Sequence, residues 1–276
     1  MILKSSVAAI LASGLVVPET PKLIFPAPAI VKPENIEFSK HLLVLGMPLT
    51  MGALASQVNP AVSLITRNST VDTDNIGTST HTTGSMSIGT ATSTRRVLAL
   101  ITGNSASNSR VVNSVTIGGV SATIHTQATS SSSGSTLTCI ASATITSGTT
   151  AVVVVTYNGT MSHVSVHVTS IDNLSSTTPT YANSTSGTTG LSLSLTDVDW
   201  EASGFVVGVT CLGLTPTITW SGGVSLSEYY DSTIFGGNRR VGLADWFPTT
   251  SGTNQTATSS WGSNPVRSAL SVVSFR

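Results

Sequence analysis

The histidines and cysteines are the side chains in this sequence that could act as bases, nucleophiles or soft metal ligands. His163 and His167 share one face of the strand-like run HVSVHV, but they are about 13 Å apart along it, too far to share a metal ion. Cys139 and Cys211 lie far apart in apolar alternating runs without CxxC spacing, which favours buried small hydrophobic side chains, with a single disulfide as the alternative. No GxSxG motif is present. We therefore expect no catalytic residue, metal ion or cofactor, and no enzymatic activity.

An acidic run, DVDWE, is the next candidate for chemistry. Asp197, Asp199 and Glu201 alternate along it, and oxygen ligands at this spacing in a loop can bind calcium. The run lacks the glycine and the distal bidentate glutamate of an EF-hand loop. It also lies between two strand-like segments, where aspartate commonly forms a turn. The sequence therefore predicts a turn here and no metal site.

Six aromatic residues fall at the ends of strand-like segments or between them. Aromatic side chains at such positions stack on sugar rings or anchor protein interfaces, and they also close the open ends of a β-sandwich. Both interpretations stay open. The candidate contacts for a glycan or a protein partner are Trp200, Trp220, Tyr229, Tyr230, Trp246 and Trp261.

The composition excludes one class of partner and favours another. Only 9% of the 276 residues are charged, against about 25% in typical proteins, and twelve basic residues balance twelve acidic ones. A neutral chain lacks the basic surface that neutralises phosphates, so we expect no nucleic-acid partner. Little self-repulsion opposes assembly, so we expect a homo-oligomer.

Residues 95–276 show strand patterns throughout. In VNSVTIGGVSATIHT, two alternating runs flank Gly118-Gly119, which predicts a hairpin with a type I′ turn. Apolar or alternating segments recur roughly every 8–15 residues with turn residues between them, and no amphipathic helix pattern appears. We predict an all-β fold, an antiparallel β-sandwich or jelly-roll-like domain.

Residues 1–52 have a different character, because they hold six of the eleven prolines among apolar residues. LIFPAPAIVKP predicts an extended arm, and PENIEFSKHLLVLGMPL predicts one short helix, marginal unless it docks on a partner. The predicted docking residues are Leu23, Ile24, Phe25, Pro26, Pro28, Ile30, Val31, Pro33, Ile36, Phe38, Leu42 and Leu43.

Two further features concern the placement of the chain. Residues 53–94 are rich in Ser and Thr with weak periodicity, and we predict a tether there. The start, MILKSSVAAILASGLVV, imitates a secretory signal, so a secreted bacterial surface protein is an alternative. Its apolar run is too short for a membrane helix, and we predict no membrane span.

The segments RRVLALITG, SVTIGGVSATIHT, GTTAVVVVTYNG, LSLSLTD, GFVVGVT, TITWSGG, EYYD and SALSVVSFR resemble a β-sandwich domain of tailed-bacteriophage and prophage virion proteins. PKLIFPAPAIVKPENIEF resembles the short leader of several such proteins. The resemblance implies a virion structural component, a head decoration, head fibre or tail fibre, assembled in the bacterial cytoplasm. The arm would dock on capsid, portal, neck or tail proteins. A carbohydrate-binding adhesin that contacts a host surface glycan is the other alternative.

Overall fold

The computed structural model describes residues 61–107, 109–132, 134–234 and 237–276, with the backbone alone over residues 69–75. The chain divides into Met1–Gln57 and Val58–Arg276, and all described residues belong to the second unit. The predicted docking arm, its short helix and its twelve docking residues lie outside the described residues.

The described residues form sixteen strands, all of their pairings antiparallel, and no helix. The predicted all-β antiparallel fold is therefore confirmed. The strands are β1 Ser63–Thr82, β2 Met86–Ser87, β3 Arg96–Ser105, β4 Val112–Ile117, β5 Val120–Ser131, β6 Ser135–Thr144, β7 Thr150–Ala151, β8 Val153–Asp172, β9 Tyr181–Gly187, β10 Ser192–Trp200, β11 Phe205–Leu212, β12 Ile218–Gly222, β13 Ser227–Ile234, β14 Arg239–Trp246, β15 Gly252–Trp261 and β16 Ser268–Phe275.

The first half of the described chain is a closed five-stranded barrel. The strand order is β8-β3-β6-β5-β4, and β4 pairs back with β8 to close the ring. Closure is possible because β8 has 20 residues: its first part pairs with β4 and its second part with β3. β1 runs along β8 outside the ring, and β2 pairs with β7. The sequence did not predict a barrel, because closure depends on a pairing between strands that are distant in the chain.

The second half is an eight-stranded sandwich with jelly-roll connectivity. One sheet has the order β13-β14-β11-β16-β9, and the other has the order β10-β15-β12. Successive strands from β9 to β12 alternate between the two sheets, as in double-sheet jelly rolls. The inner sheet, β13-β14-β11-β16-β9, also packs against the barrel wall, so the described chain has three layers: barrel, inner sheet and outer sheet.

Three hydrophobic cores lie in these layers. The barrel interior is the first, with residues such as Ile101, Ile117 and Val166. The second lies between the barrel wall and the inner sheet, and it contains Leu100 of β3 and Val209 of β11. The third fills the space between the inner and outer sheets. β3, β6, β11 and β16 are buried on both faces almost throughout, because each lies between two cores.

The predicted hairpin at Gly118-Gly119 is confirmed. β4 ends at Ile117 and β5 begins at Val120, and the two glycines have φ of 59° and 81°. Positive φ at both central residues is what a type I′ turn requires, and glycine adopts it without steric cost.

The predicted tether is wrong for its described part. Residues 63–82 form β1, which pairs with β8 from Ser63↔Asp172 to Thr82↔Val154 with four irregularities in register. Its sequence shows no clear alternation because the irregularities repeatedly change which side chains face the sheet. Arg67 also binds Asp245 of the jelly roll, so β1 is part of the folded body.

Candidate functional site

A serine and a histidine that face each other on the barrel wall form the described arrangement most similar to a catalytic pair. His125 on β5 lies 2.6 Å from Ser142 Oγ on β6 through its Nε2 atom. The Nε of Arg96, on β3, donates to the same Ser142 Oγ over 2.9 Å. Neighbouring strands bring these side chains together, since β3 and β5 both pair with β6.

The surroundings of this pair suit packing better than nucleophilic catalysis. Burial, and secondarily the charge of Arg96, lower the pKa of His125 from 6.5 to about 4, which makes the imidazole a weak base at neutral pH. The Ser142 residue is only 1% exposed. The ring of Phe275 packs edge-on to His125 at 5.2 Å between centroids. Arg96, His125 and Ser142 therefore form a hydrogen-bonded cluster at the edge of the core between the barrel and the inner sheet.

His167 has a comparable role in the same interface. Its Nε2 lies 2.9 Å from Ser165 Oγ, and its ring packs edge-on to Tyr230 at 4.6 Å between centroids. Burial lowers its pKa from 6.5 to about 3, so the ring stays neutral and does not take up a second proton at neutral pH. The histidine therefore joins the barrel to the jelly roll by packing.

Asp197 and Asp199 of the acidic run lie in β10, and Glu201 follows the strand, where its carbonyl accepts from Gly204 N–H in the turn to β11. A bulge interrupts the pairing of β10 with β15 between Leu195 and Val198, and Asp197 there has φ of 59°. Asp199 accepts a hydrogen bond from the backbone N–H of Asn254 over 2.8 Å. Across the described ranges, no group of three or more acidic, histidine or cysteine side chains is placed to hold a metal ion.

The four tryptophans pack in or against the third core. Trp200 and Trp246 contact each other edge-on at 5.1 Å. The indole N–H groups of Trp200 and Trp261 donate to the carbonyl oxygens of Thr250 (2.9 Å) and Gly190 (3.1 Å). Trp220 is partly buried over the glycine of β11, Gly208, where a Cβ atom would approach the indole to 2.7 Å. The indoles fill the space between the sheets, which is the packing interpretation of these residues.

The two tyrosines lie elsewhere, at the boundary between the barrel and the jelly roll. Tyr229 Oη is 3.3 Å from Thr169 Oγ1, and the guanidinium of Arg67 lies 4.7 Å from the centre of the Tyr229 ring. Arg67 also forms two hydrogen bonds with the Asp245 carboxylate, of 2.7 and 2.6 Å. The structure thus divides the six candidate aromatic residues into two groups. The sequence did not predict the ion pair between Arg67 and Asp245, because 178 residues separate them in the chain.

The two cysteines are free and buried, as the first interpretation of the sequence predicted. Cys139 lies in the barrel interior and Cys211 in the core between the barrel and the inner sheet, so a disulfide between them is excluded. Burial raises the pKa of each thiol to about 12, which suppresses the reactive thiolate.

The opposite ends of the jelly roll have different surfaces. At one end, the backbone N–H of Val62 donates to the carbonyl oxygen of Ser203 over 3.0 Å. At the other end, three exposed aliphatic side chains lie in three loops: Leu191 (55% exposed), Leu214 (38%) and Val266 (53%). Backbone bonds of 2.9 Å from Trp261 to Leu191, and of 2.7 Å from Gly213 to Arg267, hold these loops together. β10 separates the two ends by about 30 Å.

No protein-family model, curated protein or solved structure matches this chain. The part of the chain that the structure describes contains no helix long and apolar enough to cross a membrane.

Proposed function

We propose that the protein is a non-enzymatic structural component of a bacteriophage virion, displayed on the particle surface as a head decoration, head fibre or tail fibre. Residues 1–52 would anchor it to capsid, portal, neck or tail proteins. The proposal rests on the resemblance of the sequence to virion β-domains and their leaders. The structural observation that supports it is that residues 62–275 build three hydrophobic cores from their own strands.

The separate cores matter because the first 52 residues are apolar. Phe25, Ile30 and Leu43 belong to a segment that holds six of the eleven prolines among many apolar residues. Apolar side chains are stabilised by burial away from water, which a partner surface can supply. We infer that the arm of one copy is buried against another virion protein or against other copies of the chain.

The exposed loops of the jelly roll are the part of the described surface that we expect to meet the host. The loops with Leu191, Leu214 and Val266 carry exposed aliphatic side chains, and they lie at the end opposite Val62 and Ser203.

Deleting residues 1–57 tests the proposal. We expect the truncated protein to be folded and soluble, with a thermal midpoint close to that of the full chain, because the described residues form three hydrophobic cores. Its incorporation into particles, measured by quantitative immunoblotting of purified virions, should fall at least tenfold. A full-length variant with Ile24→Asp and Phe25→Asp serves as the matched control for chain length, and it should show the same loss. Normal incorporation of both variants would refute anchoring by the arm.

A further inference from the structure

β1 is the first strand of the described chain, and both halves of the described body are complete without it. The ring β8-β3-β6-β5-β4 closes because β4 pairs back with β8, and β1 takes no part in this closure. Neither jelly-roll sheet contains β1, and among the described strands β1 pairs with β8 alone. Release of β1 would therefore break its pairing with β8 and leave every other described pairing in place.

The described side chains of β1 are poorly buried. They belong to residues 63–68 and 76–82, and among them only His81 is buried. Four irregularities in register also interrupt the pairing of β1 with β8. In β3, by contrast, all ten residues are buried. Since burial of apolar side chains supplies most of the stability of a strand, β1 is held more weakly than β3.

One side chain of β1 nevertheless binds the jelly roll closely. Arg67 donates from Nε and Nη2 to the two carboxylate oxygens of Asp245 over 2.7 and 2.6 Å, and its guanidinium lies 4.7 Å from the centre of the Tyr229 ring. The Asp245 side chain is only 4% exposed. Loss of the cation would leave this carboxylate buried without compensation, so the pair opposes release of β1. The one other hydrogen bond from a described β1 side chain to another segment is a long one, of 3.4 Å from Asn68 to the Ser87 carbonyl.

We propose that β1 is a releasable strap: it detaches from the body as a unit while the barrel and the jelly roll stay folded, and Arg67 holds it closed. Local opening of this kind occurs where few apolar contacts hold a segment. The 20 residues of β1 are mostly Ser, Thr, Asn and Asp, a composition that stays hydrated when the strand is released. The released segment could span at most about 70 Å.

The use of such a strap rests on the proposed anchoring by residues 1–52. With the arm held by the particle, release of β1 would let the body move away from its attachment point under load. The three hydrophobic cores would stay closed during this movement. Pairing of Arg67 with Asp245 would then fasten the strap again. The strap is therefore a tether that is stored as a strand.

Hydrogen exchange of the full-length protein, resolved by residue, tests the detachment. The amides to compare are those that β1 donates to β8 and those that β3 donates to β6 or β8. We expect the β1 amides to exchange at least about a hundredfold faster, because they exchange through release of the strap and the β3 amides through unfolding of the body. Equal protection of the two strands would overturn the proposal.

Arg67→Gln tests the fastening. It leaves Asp245 buried without its cation, so the β1 amides should exchange about ten to a hundred times faster than in the natural protein. Arg240→Gln is the matched control, because Arg240 pairs with the Asp231 carboxylate inside the jelly roll, at 2.6 Å. It should leave the exchange of the β1 amides within about twofold of the natural rate.

Arg67→Lys keeps the charge and loses the paired donors, so it gives a smaller increase and serves if Arg67→Gln does not fold. Unchanged exchange of β1 in the folded Arg67 variant would overturn the role of Arg67.

Mechanical extension of single full-length molecules, held at their two ends, measures the stored length. We expect an early step that releases the 20 residues of β1, about 70 Å of contour length, before the main unfolding. Arg67→Gln should lower the force of this step, and Arg240→Gln should not. Unfolding of the body without an earlier step would overturn the strap. Neither experiment uses particles, so a confirmed strap together with normal incorporation of the arm-deleted protein would refute the anchoring alone.

Discussion

At the residue scale, side chains that could take part in catalysis or binding instead form hydrogen bonds inside the folded protein. Arg95 is an example: its guanidinium is fully buried, and it donates to five backbone carbonyls, with the shortest bonds of 2.7 Å to Ile145 and Ser147. A buried cation is tolerated when its donors are all satisfied. The sequence could not distinguish this role from a binding role, since the carbonyls belong to loops that the fold brings together.

The buried histidines predict that acid weakens the fold. The pKa values of His125 and His167 are about 4 and about 3 in the folded state, against 6.5 when unfolded. Below pH 6.5 the unfolded chain therefore binds protons that the folded chain does not. Each histidine then removes about 1.4 kcal/mol of stability per pH unit as the pH falls. We expect the free energy of unfolding, measured with urea, to fall by about 2 kcal/mol from pH 6 to pH 5.

His125→Gln isolates one part of this effect. The glutamine carbonyl can still accept from Ser142, but it does not titrate. The unfolding free energy should therefore depend less steeply on pH in this variant, and the dependence that remains comes from His167 and from His81, whose pKa is also lowered by burial. An unfolding free energy that is constant between pH 6.5 and pH 5 would show that the two imidazoles are accessible to protons in the folded state.

At the element scale, β11 shows why the inner sheet needs small residues at chosen positions. One face of β11 carries Val207 and Val209 toward the barrel, and the other carries Gly208 toward the outer sheet, under the Trp220 ring. The absence of a side chain at Gly208 makes the space that the indole occupies. β12 and β11 can therefore pack closely only while residue 208 is glycine.

Gly208→Ala should destabilise the protein by about 1–3 kcal/mol, because overpacking displaces a large ring. A Cβ at this position would approach Trp220 to 2.7 Å, and the displaced indole should shift its fluorescence emission. Gly84→Ala is the matched control, because nothing lies within 4 Å of a Cβ there, and its effect should stay within about 0.5 kcal/mol. Equal stability of the two variants, measured by urea unfolding, would contradict this account of the packing.

The elements also show which parts of the fold can be predicted from the sequence. Runs that are buried, such as RVLALIT in β3 and GFVVGVTCL in β11, are recognisable because their apolar residues are contiguous. β9 and β13 are edge strands with mostly polar residues, and the sequence pattern gives no signal for them. The partner of β1 is β8, about 90 residues away, and no local pattern encodes a pairing over that distance. The candidate aromatic residues were recognisable, but their burial depends on which sheet covers them.

At the scale of the whole molecule, the barrel and the jelly roll share one core. Leu98, Leu100 and Ile140 of the barrel wall pack in the same cluster as Phe205 and Val273 of the inner sheet. Neither half can separate without exposing this cluster to water, which is unfavourable in proportion to the apolar area. The hydrogen bonds of β9 to β5, such as Ser184 Oγ to Gln127 O at 2.7 Å, add a polar rim.

We therefore expect the barrel and the jelly roll to unfold in one cooperative transition. All four tryptophans belong to the jelly roll, so intrinsic fluorescence reports on that half, whereas far-UV circular dichroism reports on all strands. The two thermal midpoints should coincide.

Leu100→Ala truncates the barrel side of the shared core and should cost about 2–5 kcal/mol of unfolding free energy. It should lower the fluorescence midpoint as much as the dichroism midpoint, although the substitution is in the barrel. Val120→Ala, at a position 45% exposed, should change neither midpoint. A fluorescence midpoint that stays constant in Leu100→Ala while the dichroism transition splits in two would show that the two halves fold independently.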